Sequence, residues 1–210
     1  MFLRPVLCPV LCVACLLPAA ARADCPTGDD MATGVEVTFA NGDRTALRAL
    51  GAGMVEVAEY YAWAPEGRRY FAYLGLYVTD EGAVLPDGTL DPASRITTTY
   101  PVPVEDMPLP TAETPQWEGT VNRRPVTTDP DIVIPPDAYH IRFAAMDPVV
   151  IGDCTYAAVA VGESLRPDQP DQKDQYSYYL PDLGAGFIIG WTIDGALDQT
   201  EAVAIRALSP

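Results

Sequence analysis

The sequence predicts an all-β protein: an antiparallel sheet, curved into a half-barrel or folded as a two-sheet sandwich, with little helix. Three observations lead there. Apolar and polar residues alternate with a period of two along most of the chain, as in Val35, Val37 and Phe39 set against Glu36 and Thr38. No window of helical length gathers its apolar residues at the spacing of a helix face. Turn-forming groups such as Asn41-Gly42-Asp43, Asp80-Glu81-Gly82, Pro86-Asp87-Gly88 and Gly152-Asp153 punctuate the alternating runs.

Taken in order, strands are expected over 34–40 and 44–50, joined as a hairpin by Asn41-Gly42-Asp43, then over 54–62 and over one long run, 68–79. Beyond the turns at 80–82 and 86–88, Ile96, Thr98 and Tyr100 face away from Thr97 and Thr99. The prolines at 101, 103, 108, 110 and 115 remove backbone donors and favour extended geometry. They make 101–116 a crossover between two halves, 24–100 and 117–210, of one domain spanning 24–210. Trp117, Gly119 and Val121 resume the alternation, and Tyr139, Ile141 and Phe143 oppose His140 and Arg142 in the next strand. A small-residue strand is expected over 154–161, a polar loop over 166–175, and a final strand over 199–208.

The stretch Tyr176-Ser177-Tyr178-Tyr179-Leu180-Pro181-Asp182-Leu183-Gly184 runs into Ala185-Gly186-Phe187-Ile188-Ile189-Gly190. A glycine loop that cradles phosphate leads from a strand into a helix, whereas a second alternating run follows here. The segment therefore reads as a β-hairpin with a proline-to-glycine corner, and Phe187, Ile189, Trp191 and Ile193 are expected on one face of its second strand.

Residues 1–23 read as a secretory signal peptide: Arg4, an apolar run from Pro5 to Leu17, and Ala21-Arg22-Ala23 before the expected cleavage. A retained anchor helix and a lipid on Cys15 are the alternatives. Cleavage takes away Cys8, Cys12 and Cys15 and leaves Cys25 and Cys154, an even pair that reads as one disulfide in an exported protein, against two buried free thiols. It also removes Arg4 and Arg22, taking the formal charge from −16 to −18. A surface so acidic repels nucleic acid and anionic headgroups, which are bound through clustered Lys and Arg. The expected location is the periplasm or the medium, with no membrane span after processing.

Ile151-Gly152-Asp153-Cys154-Thr155-Tyr156, followed by an aromatic strand ending in Tyr179-Leu180-Pro181-Asp182-Leu183-Gly184, resembles the closing part of exported proteobacterial β-sheet proteins. Met107-Pro108-Leu109-Pro110 before Trp117 is similar to them too. The resemblance implies a curved sheet like that of periplasmic lipoprotein-carrier half-barrels and transfers no catalytic residue.

Chemical signatures are sparse. His140 is the only histidine, and Gly162-Glu163-Ser164-Leu165 lacks the second glycine of a nucleophile elbow. No cofactor motif occurs. Asp168, Asp171 and Asp174 in one polar loop are the candidate ligands for a hard cation, although their spacing is not that of an EF-hand. The tyrosines are more suggestive: Tyr73, Tyr77, Tyr176, Tyr178 and Tyr179, with Trp191, lie on runs that are apolar or aromatic on both faces. Such runs sit between two layers or along a concave, ligand-holding sheet. The expected function is a non-catalytic binding or interaction protein of the bacterial envelope, holding a small apolar or aromatic ligand or a protein partner. A secreted hydrolase with paired carboxylates, or a purely structural envelope protein, is the alternative.

Overall fold

The computed structural model describes residues 25–64, 67–111, 116–167, 174–193 and 196–209. Residues 1–23, expected as a signal peptide, lie outside them. The strands are β1 (Val35–Phe39), β2 (Arg44–Gly51), β3 (Met54–Tyr60), β4 (Arg68–Tyr73), β5 (Tyr77–Ala83), β6 (Ile96–Thr99), β7 (Gln116–Pro125) and β8 (Asp137–Ala145). They continue as β9 (Val149–Ile151), β10 (Cys154–Tyr156), β11 (Val159–Leu165), β12 (Asp174–Leu180), β13 (Ala185–Ile193), β14 (Ala196–Gln199) and β15 (Ala202–Ala207). Helix is confined, among the described residues, to two 3-10 turns, Asp30–Ala32 and Val104–Asp106. No helix of the described residues is long and apolar enough to cross a membrane.

Thirteen strands form one antiparallel sheet in the order β14-β13-β12-β11-β8-β7-β6-β5-β4-β3-β2-β1-β15, while β9 and β10 make a separate hairpin. The outermost strands, β14 and β15, are separated in the chain by only Thr200 and Glu201. The sheet must therefore coil until its two edges approach. Backbone bonds from Thr200 N to Ile189 O (2.8 Å) and from Ala40 N to Glu201 O (2.9 Å) seam that approach without a ladder between the edges. Across the coil, Gly186 N donates to Leu74 O at 2.8 Å, and Phe39 meets Phe187 edge-on at 6.2 Å.

Two groups of apolar side chains fill the coil. Val35, Val37, Leu47, Val57, Tyr70, Leu180 and Phe187 belong to the first, and Leu76, Tyr77, Met107, Tyr139, Ile141, Phe143 and Val161 to the second. Each fully buried Leu, Val or Phe contributes about 1.5–3 kcal/mol relative to exposure. Strand β12 serves both groups, Leu180 in the first and Tyr179 against the second, which places it between two packed layers. The proline-rich segment does not stand apart. Strands β6 and β7 pair directly across it, Met107 is buried in the second group, and Tyr77 Oη donates to Pro108 O at 2.6 Å.

Outward-facing carboxylates staple neighbouring strands. Glu36 on β1 takes Arg44 on β2 at 3.2 Å and Arg206 on β15 at 2.7 Å, so the edge strand is held by charge as well as by its ladder. The disulfide between Cys25 and Cys154 is present, with Cα atoms 5.6 Å apart. Beside it Tyr156 Oη donates to Pro26 O at 3.0 Å, and Gly28 N to Asp182 O at 2.8 Å. These bonds press the N-terminal segment against β10 and the Pro181–Gly184 corner.

Several expected boundaries move. The run 68–79 breaks at Leu74-Gly75, where both residues take positive φ (55° and 70°). The break is forced by a close approach: a Cβ on Gly75 would lie 2.4 Å from Gly186 O. Residues 80–82, expected as a turn, instead continue β5. The run 154–161 divides into β10 and β11, and 199–208 into β14 and β15. The 176–190 hairpin forms as expected, with Gly184 at φ 67°. Its faces do not follow simple alternation, because the register shifts between Tyr176 and Ser177: Ser177 opposes Ile188 and Tyr176 opposes Gly190. The bulge turns Trp191 to the side of Gln175, away from Phe187.

Candidate functional site

Alternation in β4, β5, β7, β8 and β11 directs a set of polar side chains into the coil beside the second apolar group. A cavity of about 300 Å³ lies there. Strands β4 and β5 bring Arg68 and Glu81, β7 brings Arg123, β8 brings Tyr139, and β11 brings Glu163, with Gln175 and Trp191 from β12 and β13. A second register shift, between Phe71 and Ala72, sets Glu81 opposite Tyr70 and so points its carboxylate inward.

Glu81 is the hub. One of its oxygens accepts from Arg68 Nη2 and the other from Arg123 Nη2. Arg68 also reaches Glu59 at 3.6 Å and lies over the Tyr70 ring at 5.1 Å. Burial opposes ionisation of Glu81, but the two guanidiniums outweigh it and hold its carboxyl below the usual value. Burial likewise opposes the charge on Arg68, and Glu59 and Glu81 more than restore it.

Glu163 has the opposite setting. The residue is only half-buried because it borders the cavity, yet its Oε2 is shut off from solvent and has no protein partner. The Tyr139 hydroxyl, also buried, is the neighbour of this carboxyl and favours its charged form. Burial pushes Glu163 up to about 7, against the lowering effects of Tyr139, Arg68 and Arg123 and with Glu81 adding to the rise. Burial also raises the Tyr139 and Tyr100 hydroxyls well above their usual range, with Glu163 reinforcing both, so they stay protonated.

This predicts a pH dependence. The folded chain keeps a proton on Glu163 at pH values where the unfolded chain, at 4.5, has lost it. Stability from this group is fully present below about 4.5 and is lost as pH rises to about 7, a contribution on the order of 3 kcal/mol. Glu81, with its lowered value, acts in the other direction and below that window. Urea midpoints at pH 5 and pH 8 are expected to differ in the wild type by more than in Glu163→Gln, which cannot titrate.

The tyrosines singled out in the sequence occupy different places. Tyr77 is fully buried and Tyr73 stacks on it at 6.5 Å. Tyr77 meets Tyr100 edge-on at 5.9 Å, Tyr100 meets Tyr139 at 5.9 Å, and Trp117 closes the row at 5.9 Å from Tyr139. Tyr176 and Tyr178 pack against the first apolar group, Tyr178 edge-on to Phe187 at 6.3 Å with its hydroxyl accepting from Gln199 Nε2. Tyr179 packs against the second. Of the six aromatic candidates only Trp191 borders the polar cavity.

Asp168 and Asp171 lie outside the described residues. Asp174 accepts from Ser164 Oγ at 2.6 Å, and the described residues contain no group of three or more side chains suited to a metal ion. His140 sits on β8 opposite Glu118 and Ser164, on the face away from Tyr139 and the cavity.

Among the cavity-lining residues, Glu81, Arg123, Tyr139 and Glu163 are ones the sequence did not single out as site candidates. Glu163 and Arg123 carry a legible signal, a charge in an alternating strand, but nothing in the sequence says which face is enclosed. Comparisons with protein-family models, curated proteins and solved structures found no match.

Proposed function

We propose that the protein is an exported envelope protein that binds a small, uncharged, polar ligand inside its coiled sheet and does no chemistry on it. The observation that carries this reading is the cavity of about 300 Å³ itself, whose lining brings together Arg68, Glu81, Arg123, Tyr139, Glu163 and Gln175 beside Trp191. A wall of mixed donors and acceptors suits a ligand that offers both. The cavity size falls at the lower end of small-molecule sites.

The charges argue for an uncharged occupant. Glu81 and Glu59 balance Arg68 and Arg123, Arg166 lies 3.8 Å from Asp137, and Glu163 is largely neutral below pH 7. Trp191 supplies an apolar face. The same geometry disfavours hydrolysis by Glu81 paired with Glu163, because both Glu81 oxygens are engaged by arginine. Export rests on the leader-like residues 1–23 and on a disulfide, a bond typical of oxidising compartments.

Native mass spectrometry of protein secreted into a bacterial periplasm tests the reading. The expected result is an added small mass that is released on denaturation, with loss of that mass in Glu163→Leu, which removes the carboxyl. Equal masses for both proteins in native and denatured spectra would count against a tightly held ligand and for a hydrated cavity.

A further inference from the structure

A second concavity, of about 340 Å³, lies on the outer side of Trp191, between the β1–β2 hairpin, the residues after β3 and the residues after β14. Its rim is aromatic. Trp63 is 79% exposed and stacks on Tyr61 with ring centroids 5.4 Å apart and planes 25° from parallel. Tyr60 is also exposed, and Arg44 lies over its ring at 5.2 Å. Trp63 is not a singly exposed apolar group: with Tyr61 and Tyr60 it forms a contiguous aromatic rim.

The rim is held in place. Asp43 Oδ1 accepts from Ala62 N at 2.7 Å, while Asn41 donates to Asp43 Oδ2 at 2.7 Å and accepts from Asp43 N at 3.0 Å. Tyr61 Oη donates to Glu59 Oε2 at 2.6 Å, which anchors the stacked pair to the buried charge network. A fixed aromatic plane loses little conformational entropy when it is covered. Across the groove stand Asp198 and Thr200, whose side chains offer oxygen acceptors and a hydroxyl donor.

We infer that this groove is a carbohydrate subsite, in which Trp63 stacks on one face of a pyranose ring and Asp198 and Thr200 hydrogen-bond its hydroxyls. The weakly positive C–H groups of a pyranose match the negative face of an indole. A flat apolar plane beside polar acceptors suits a ring that is apolar on its faces and polar at its edge. Three carboxylates, Asp43, Glu59 and Asp198, line the groove against one guanidinium, Arg44, and the chain carries a net charge of −16. The saccharide is therefore uncharged rather than acidic. This subsite adjoins the interior cavity, Trp191 lining both, and is assigned on its own rim residues whether or not that cavity holds a ligand.

Tryptophan fluorescence and calorimetric titrations with cellohexaose, chitohexaose, maltohexaose and xylohexaose, each to millimolar concentration, test the assignment. The expected result is saturable binding of at least one of them to the wild type and to Glu163→Leu, weakened about tenfold or more in Trp63→Ala. Asp198→Ala, another exposed position, is expected to weaken the same sugar. Absence of saturable binding by all four, or binding unchanged in both Trp63→Ala and Asp198→Ala, would overturn the inference. Binding lost in Glu163→Leu but intact in Trp63→Ala would also overturn it, by moving the sugar to the interior cavity.

Discussion

Replacement of Glu81 by leucine is expected to lower the melting temperature by roughly 10 °C. Glu81 is 7% exposed and is the shared acceptor for Arg68 and Arg123, so its removal leaves two guanidiniums facing each other in a confined space. Breaking a buried ion pair by deleting one partner costs about 3–5 kcal/mol. In a domain of this size each kcal/mol moves the midpoint by about 2–4 °C. The loss belongs to the orphaned charges rather than to the missing attraction, which gives the prediction a second arm. The triple variant Glu81→Leu, Arg68→Met, Arg123→Met is expected to recover more than half of the drop, since apolar replacement of a whole buried cluster is often neutral or stabilising. Thermal melts of the single and triple variants decide; a triple variant less stable than the single one would show that the network is worth more than its desolvation.

The second large effect is that of the disulfide. Its half-cystines are 129 residues apart, so the bond closes a long loop in the unfolded chain, and the chain-entropy model gives about 5 kcal/mol for its removal. The double variant Cys25→Ser, Cys154→Ser is expected to melt roughly 10–20 °C lower. Part of the anchoring survives in the variant, because Met31 is buried in the first apolar group and Gly28 N still reaches Asp182 O. Hydrogen exchange therefore should quicken first at residues 25–33 and at the β9–β10 hairpin, with β4–β8 little changed below the melting range. A melt within about 2 °C of the wild type would mean that these non-covalent contacts already hold the segment.

The fold was largely legible in the sequence, and the site was not, for one physical reason. Alternation reports that a strand has two faces; it does not report what encloses them. Phe39, Val121 and Tyr139 show their burial in their spacing, and the Pro181–Gly184 corner shows its turn in its residue types. Two of the sheet's register shifts, at Phe71/Ala72 and at Tyr176/Ser177, leave no local mark. The first turns Glu81 inward from a segment whose Asp-Glu-Gly composition reads as a turn. The second turns Trp191 toward the cavity from a face that simple alternation gives to Phe187. Long-range approach has a similar effect at Gly75, where contact with Gly186 ends a strand that local propensity would continue. The tyrosines were conspicuous by composition, and their geometry makes most of them a packed row between layers.

The role proposed for the polar cavity is ligand binding without chemistry. Ligand-observed NMR with a library of small polar compounds, run in parallel on wild type and Glu163→Leu, tests it most directly. The account predicts a family of uncharged compounds carrying both donors and acceptors that bind the wild type, fail to bind the variant, and are recovered unaltered after prolonged incubation. Compounds that bind both proteins equally, or a bound compound that is converted to product, would contradict it.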